Sequence, residues 1–152
     1  MLAEYSSFWR NVIPGDLFIQ EIFHGVIAMP FAYLIYKKTK SLKHFLLVIL
    51  FAYAIDVDHL IDYFLYFGLR FNLADFLSGV YFEVTNRAVV PFHAWEWLAL
   101  LGLVAYKRGW KSLFTVLALS LLAHLIFDSI TVGSALFYSI MYRWFNGFTY
   151  LI

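Results

Sequence analysis

The chain has 152 residues, of which 63% are hydrophobic and 22% aromatic, while only 14% are charged. Soluble domains are nearer half apolar and a quarter charged, so this composition excludes an ordinary water-soluble globule. The formal net charge is +1 and the few cations lie in short loops, which excludes a nucleic-acid-binding surface. The absence of cysteine excludes disulfides and thiolate metal sites.

Four segments have about the 20 apolar residues that an α-helix needs to cross a bilayer. They cover residues 17–36, 43–67, 91–106 and 112–132. The segment before them, residues 1–16, carries Glu4 and Arg10 and shows no signal-peptide pattern, so we expect the first span to be kept as a membrane anchor. The length suits one domain, and residues 1–152 are predicted to form a single polytopic membrane domain.

The connections differ in length and character. Residues 69–90 are a long connection for a helical bundle, so we expect them to hold structure of their own and to act as a lid. Pro91 suits the first turn of the third helix, and Gly133 suits the end of the fourth. The tail, residues 134–152, is aromatic but holds Arg143, which predicts an interfacial helix, with a fifth span as the alternative. The predicted fold is therefore an all-α integral membrane protein, a four-helix transmembrane bundle with an aromatic C-terminal helix.

Basic residues concentrate in the first and third connections. These hold seven of the eleven Lys and Arg residues of the chain: Lys37, Lys38, Lys40, Lys43, Lys107, Arg108 and Lys111. With four spans the two connections share a side, and the positive-inside rule makes that side cytoplasmic. This predicts a protein of the cytoplasmic (inner) membrane whose long connection and tail face the extracytoplasmic side.

Ionisable residues lie inside every predicted span, where a charge exposed to lipid costs roughly 2.5 kcal/mol or more. They are Glu21, His24, Asp56, Asp58, His59, Asp62, His93, Glu96, His124 and Asp128. Six of the ten acids of the chain belong to this set, and no Lys or Arg lies within the spans except Lys43, at the first position of the second. Protons or metal ions are therefore needed to balance these acids.

The spacing and depth of these residues predict that they converge. Within each helix they are three or four positions apart, as with Glu21 and His24 or His124 and Asp128, and so share a face. At about 1.5 Å per residue, all four sets fall roughly 5–15 Å below the outer surface. Randomly placed polar residues on antiparallel helices would instead scatter between both leaflets.

A layer of His with Asp and Glu from four helices is typical of a Zn, Mn or Fe site, with Zn preferred. We expect one or two divalent ions, because bundle cores with Glu-x-x-His pairs are known to hold two. The predicted ligands are His24, Asp58, His59, His93, His124 and Asp128. The groups predicted beside them, as orienting acids or general base, are Asp56, Asp62 and Glu96. His44, next to Lys43, is predicted to be a solvated interface residue.

Three of these segments resemble a known family. Asp56-Val57-Asp58-His59 resembles the Asp-x-Asp-His motif of the YdjM-like membrane-bound metal-dependent hydrolases, also described as LexA-binding inner-membrane proteins. The segment from His124 to Thr131 resembles their His-x-x-x-Asp-x-x-Thr motif, and His24-Gly25 resembles their early His before a small residue. Order and helix placement agree from about His24 to Gly133. The resemblance implies a metal-dependent hydrolase.

The third motif of that family is only partly matched. It has the form His-Arg-Gly-x-Thr-His-Ser, and this chain keeps its second His as His93, while Ala94 replaces the Ser and Arg87 is displaced. Glu96, one turn further on, is the candidate to compensate as ligand or base. The helical His-x-x-x-Asp element is also similar to one in zinc-dependent phospholipase C and related nucleases, which implies phosphoester chemistry.

These patterns favour a metal-dependent hydrolase working just below the outer surface on a lipid or lipid-linked ester, with phospholipid as an example. An ion or proton transporter is the alternative; it predicts polar residues in both leaflets. A haem-binding bundle is disfavoured because haem needs His without a crowd of carboxylates. A purely structural cluster is disfavoured because interhelical polar contacts in membranes average only about 0.6 kcal/mol.

Overall fold

A computed structural model describes residues 17–149, and side chains from residue 19 onward. The expectation about residues 1–16 therefore lies outside the described part of the chain, as do the last three residues of the tail. Within the described range the structure is α-helical and has no strand, apart from one isolated bridge between Arg87 and Thr149. The predicted all-α class is confirmed.

The helices follow one another with short connections. Helix α1 covers Leu17–Thr39, and α2, Leu42–Ala54, continues through a 3-10 turn, Ile55–Asp58, into α3, His59–Phe67. The later helices are α4 (Leu73–Ser78), α5 (Val80–Thr85), α6 (Trp95–Arg108), α7 (Leu113–Val132) and α8 (Ile140–Phe145), with a 3-10 turn at Leu136–Tyr138. Three stretches are long and apolar enough to cross a membrane, residues 19–39, 42–67 and 113–132.

Local sequence explains where the long helices begin and end. The Ser41 and Ser112 side chains accept hydrogen bonds from the backbone N–H groups of His44 and Phe114, which caps α2 and α7 at their first turns. Gly68 and Gly133 have φ angles of 68° and 78°, a left-handed region that glycine adopts without steric cost. The predicted ends of the second and fourth spans are thus confirmed.

The third predicted span differs from expectation. Helix α6 has 14 residues, roughly 21 Å, and is shorter than the three stretches of spanning length. It begins at Trp95 rather than Pro91, because residues 91–94 form an irregular turn whose backbone is held by buried side chains. The prediction of a helix starting at Pro91 was therefore wrong.

The tail does not form a fifth span within the described residues. Helix α8 has six residues, roughly 9 Å, far below the thickness of a bilayer core. Residues 69–90 fold into α4 and α5, which confirms that this connection has structure of its own. Its aromatic residues pack with those of the tail over one end of the bundle.

Helix α7 is the centre of the bundle, because it packs against α1, α2 and α6. Its spanning stretch is 56% buried, compared with 28% for α1 and 22% for the α2–α3 stretch. The Ser120 hydroxyl donates to the Val48 carbonyl of α2, at 3.0 Å. Small residues at this contact, including Ala28, Ala32 and Ala52, are fully buried and let the helix backbones approach closely, as in other membrane bundles.

Two apolar clusters divide the bundle along its length. The first lies between α1, α2 and α7 and contains Ala28, Ala32, Ile35, Val48, Ala52, Val116 and Ala123. The second joins α3 and α7 to the long connection and the tail, and contains Tyr63, Tyr81, Phe82, Ala88, Val90, Leu121, Leu125, Phe137 and Tyr138. His124 is flanked along α7 by members of both clusters, Ala123 of the first and Leu125 of the second.

The two basic connections meet at the end of the bundle away from those polar side chains. The His44 ring lies 3.2 Å, through Nε2, from the Lys111 carbonyl, and the Lys38 ammonium lies 5.5 Å from the centre of the Trp110 ring. His44 is half-buried at this contact rather than fully solvated. The prediction that both basic connections share a side agrees with this contact.

Single-cysteine labelling tests this arrangement in a chain that has no cysteine of its own. Lys43→Cys and Lys111→Cys should both resist a membrane-impermeant maleimide in intact cells and react after permeabilisation, because the basic end is expected in the cytoplasm. Glu83→Cys, on the exposed side of α5, should react without permeabilisation. Labelling of Lys43→Cys and Lys111→Cys from opposite sides would contradict the fold.

Candidate metal centre

The 3-10 turn Ile55–Asp58, in the middle of the second span, directs its two acidic side chains into the bundle. A 3-10 helix has three residues per turn, so side chains three apart eclipse one another, whereas in an α-helix they are offset. Asp56 and His59 are three apart, and the His59 Nε2 lies 3.2 Å from Asp56 Oδ1. The same turn buries both Asp56 and Asp58 and leaves Val57 facing outward.

Asp56 lies at the centre of the predicted site, although the sequence placed it beside the ligands. Its Oδ1 atom is 3.1 Å from the Nε2 of His93 and 3.5 Å from that of His124, as well as 3.2 Å from that of His59. Its Oδ2 atom lies 3.7 Å from the Nε2 of His24. One carboxylate thus faces four imidazoles from α1, α3, α7 and the turn before α6.

Asp128 is the second carboxylate of the cluster. Its Oδ1 is 3.3 Å from the His24 Nε2, and its Oδ2 is 3.2 Å from the His124 Nε2 and 3.5 Å from the His93 Nε2. His124 and Asp128 are one turn apart on α7, and both are buried. The structure therefore brings together His24, His59, His93, His124, Asp56 and Asp128.

The rings of His93 and His124 are fixed by what their other nitrogens contact. The His124 Nδ1 lies 2.9 Å from the Ala52 carbonyl, and a carbonyl only accepts, so this nitrogen carries the proton. The His93 Nδ1 lies 3.1 Å from Asp58, which accepts when it is ionised. Asp58 also accepts from the Phe92 N–H at 2.6 Å. It contacts the His93 ring at Nδ1, whereas Asp56 faces the same ring at Nε2.

These contacts leave two nitrogen lone pairs facing each other. The Nε2 atoms of His93 and His124 are only 2.8 Å apart, and both are buried. Two neutral imidazoles in this tautomer repel at that distance, so a positive charge is needed between them. A single proton would join only two atoms, whereas the Nε2 atoms of His24 and His59 also face the Asp56 carboxylate.

A divalent ion fits this donor set. Three overlapping groups have ligand atoms within 4.8 Å of one another: His24, His124 and Asp128; Asp56, His93 and His124; Asp58, His59 and His93. Neutral imidazole nitrogens with carboxylate oxygens are the ligands of Zn, Mn and Fe in proteins. Two nitrogens bound to one tetrahedral Zn at 2.0–2.1 Å lie roughly 3.3 Å apart, so the 2.8 Å spacing of His93 and His124 needs to open by only about 0.5 Å to admit the ion. The protein thus has a buried His and Asp cluster that could bind metal among apolar helices.

Asp62 and Glu96, predicted as orienting acids or general base, contact the loop before α6 and the start of α8 instead of the imidazoles. The Asp62 carboxylate accepts from the N–H groups of Val89 and Val90, at 2.7 and 3.0 Å. The Glu96 carboxylate accepts from the Ser139 hydroxyl at 2.6 Å and from the first N–H groups of α8. Among the described residues, neither Asp62 nor Glu96 belongs to a group of side chains that could hold a metal ion.

Arg143 holds the loop that carries His93, and no pattern in the sequence predicts this role. It is only 1% exposed, and its guanidinium donates to the carbonyls of Val89, Val90 and His93 at 2.8–3.0 Å. The tail was predicted to be an aromatic interface helix. It instead places a buried guanidinium next to the loop that carries His93.

Glu21 is a further acid next to the cluster. Its half-buried side chain lies within hydrogen-bonding reach of the Asp56 carboxylate. The Glu-x-x-His spacing to His24 marked it as sharing a helix face with a ligand, although it was not among the predicted site residues.

Comparison of the chain with models of protein families, with curated proteins and with solved structures gives no match. The class of protein that the fold and site define is therefore an all-α protein with apolar helices of membrane-spanning length and a buried His/Asp cluster.

We predict that Arg143→Gln destabilises the fold and displaces His93. Several buried carbonyls would lose their donors, at roughly 1–3 kcal/mol each, so the free energy of unfolding should fall by about 3 kcal/mol or more. The measurement is the melting temperature in detergent followed by tryptophan fluorescence. Arg87→Gln, an exposed arginine at the start of the same loop, is the matched control. Equal melting temperatures for both variants would show that the guanidinium contacts are not needed.

We also predict that Asp58→Asn weakens metal binding. An acid that accepts from the far nitrogen of a ligating imidazole orients it and raises its basicity, and its loss typically costs about 10–100-fold in metal affinity. Competition with a chromogenic chelator measures the affinity. Glu83→Gln removes an exposed acid from α5 and should leave the affinity unchanged. Wild-type affinity in Asp58→Asn would mean that His93 is not a ligand.

Proposed function

We propose that this protein is a metal-dependent hydrolase whose site is buried in the membrane bundle. The observation that carries the proposal is the 2.8 Å approach of the His93 and His124 Nε2 atoms, both with their Nδ1 atoms engaged elsewhere. His24, His59, His93 and His124, with Asp56 and Asp128, would hold the metal. Asp58 would orient His93 from behind.

A bound divalent ion supplies Lewis acidity, which polarises an ester oxygen and makes water nucleophilic near neutral pH. The residues of the chain then have separate tasks. The Ala52 carbonyl and Asp58 keep the Nδ1 atoms of His124 and His93 protonated, so that both Nε2 atoms stay available as ligands. The His and Asp side chains are buried among apolar residues, which excludes bulk water from the site and strengthens the electrostatic interactions there.

Glu21 is the acid best placed to act as general base. Asp62 and Glu96 are engaged with backbone N–H groups, and Asp56 and Asp128 are surrounded by imidazoles. Glu21 is half-buried at the edge of the cluster and beside Asp56, so it can take a proton from water and return it to the leaving group. This assignment replaces the predicted bases Asp62 and Glu96.

The substrate class that we propose is a lipid or lipid-linked ester. The exposed side chains next to the site on α1 and α3, among them Ile22, Val26 and Ile61, are apolar. A substrate that reaches the cluster from the membrane would therefore meet an apolar surface. The resemblance to the YdjM-like hydrolases supports the same activity, and we place the cluster on the extracytoplasmic side, opposite the basic connections.

The transporter alternative requires a polar path through the rest of the bundle. Between the cluster and the basic end, the described core consists of Ala, Ile and Val side chains. The buried polar side chains there, Ser120 and Thr115, both donate to backbone carbonyls. This part of the described structure favours a site that is reached from one end only.

The test is hydrolysis by purified, metal-loaded protein in detergent, with panels of phospholipids, lipid phosphates and acyl esters. We expect turnover that a chelator stops and that added Zn or Mn restores, because the ion supplies the Lewis acid. Asp56→Asn and His124→Ala should lower the rate by at least about 100-fold, since each removes a ligand from the centre of the cluster. Glu21→Gln should lower the rate while metal content is kept.

His44→Ala is the matched control, because it removes an imidazole at the opposite end of the bundle and should leave the rate unchanged. Size-exclusion chromatography must show that each variant stays folded. Turnover that survives both Asp56→Asn and His124→Ala would overturn the site. Metal-dependent ion flux in liposomes, with no turnover on either panel, would instead favour the transporter.

A further inference from the structure

The two carboxylates of the cluster divide their oxygens in the same way. Asp56 turns Oδ2 towards His24 and Oδ1 towards His59, His93 and His124. Asp128 turns Oδ1 towards His24 and Oδ2 towards His93 and His124. Each carboxylate thus offers one oxygen to His24 and the other to His93 and His124, and in Asp56 that second oxygen also faces His59. A single ion would not need this division.

The rings of His24 and His124 are separated in a way that matches the two sets of carboxylate oxygens. The rings of His24 and His124 are stacked, with centres 3.8 Å apart and planes inclined by 7°. The ligand atoms of His24 and His124 lie within 4.8 Å of each other, but a metal ion lies close to the plane of the imidazole that binds it, so the parallel stacking of these two rings favours two separate positions. Their spacing equals the roughly 3.5–4 Å between the ions of two-metal sites.

An unsatisfied atom marks the position near His24. Asp56 Oδ2 is buried and accepts no hydrogen bond from a nitrogen, although its neighbour Oδ1 faces three imidazoles; the Glu21 carboxyl also lies within reach of this carboxylate. A buried carboxylate oxygen without a partner is costly, because it has lost its hydration. The His24 Nε2 lies 3.7 Å from this oxygen, which is too long for a hydrogen bond. A cation between these two atoms would satisfy both.

We propose that the cluster holds two divalent ions bridged by the carboxylates of Asp56 and Asp128. One ion is bound by His24 and the facing oxygens of the two carboxylates, and the other by His59, His93, His124 and the opposite oxygens. This inference rests on the metal site of the proposed function and specifies its nuclearity. Paired ions suit phosphoesters in particular, since they stabilise both the attacking and the leaving oxygen of an in-line displacement.

Metal counting on the unaltered protein is the first test and needs no variant. Protein purified in detergent, saturated with Mn and freed of excess ion should hold about two ions per chain by elemental analysis and native mass spectrometry. Its electron paramagnetic resonance spectrum should show exchange coupling, which requires two Mn ions that share bridging ligands. One ion per chain, or two uncoupled ions, would overturn the inference.

Variants then test the assignment of ligands. His24→Ala should lower the content from about two ions to about one and abolish the exchange coupling, while the remaining Mn still gives a bound, isolated signal. His44→Ala should keep both ions. Unchanged metal content and coupling in His24→Ala would remove His24 from the site and overturn the proposed division.

These outcomes are separable from those of the proposed function. A single-ion protein with chelator-sensitive turnover would refute the paired centre and leave the hydrolase standing. A coupled two-ion protein without turnover on either panel would support the paired centre and refute the hydrolase.

Discussion

The structure depends on the convergence of imidazole nitrogens and carboxylates in a bundle whose other interior is mostly apolar. Burying such groups is costly unless each finds a partner, and the His93 and His124 Nε2 atoms cannot serve as partners for each other in the tautomer that their contacts impose. A shared cation resolves the conflict. The helix contacts are arranged around this requirement, because α7, the central helix, supplies both His124 and Asp128.

The irregular backbone next to the site is made possible by charged side chains that take no part in the cluster. Backbone groups at membrane depth must be satisfied within the protein, since lipid offers no hydrogen bonds. In the loop before α6, Asp62 accepts from two N–H groups and Arg143 donates to the carbonyls between Val89 and His93. The acidic residues that lie in the spans without a Lys or Arg partner thus have two roles. Some face the imidazoles, and others hold the loop that delivers His93.

The sequence predicted the parts of the site that depend on helix periodicity. The spacing of His124 and Asp128 placed them on one face, and depth along antiparallel helices predicted that His24 would meet them. The 3-10 turn at Asp56 was not predictable, because nothing in Asp-Val-Asp-His breaks a helix. Arg143 was missed because an aromatic tail with one arginine is typical of an interface helix. Both features arise from tertiary contacts that local sequence does not encode.

The position of Arg143 along the chain has a consequence for biogenesis. It follows every other side chain of the cluster and its supporting loop in the order of synthesis. While the ribosome is still making α7, the carbonyls around Val90 therefore lack their donor, and His93 is not yet held in place. The loop that delivers His93 can therefore be completed only after the tail has been made, although all the side chains of the His and Asp cluster precede the tail in the chain.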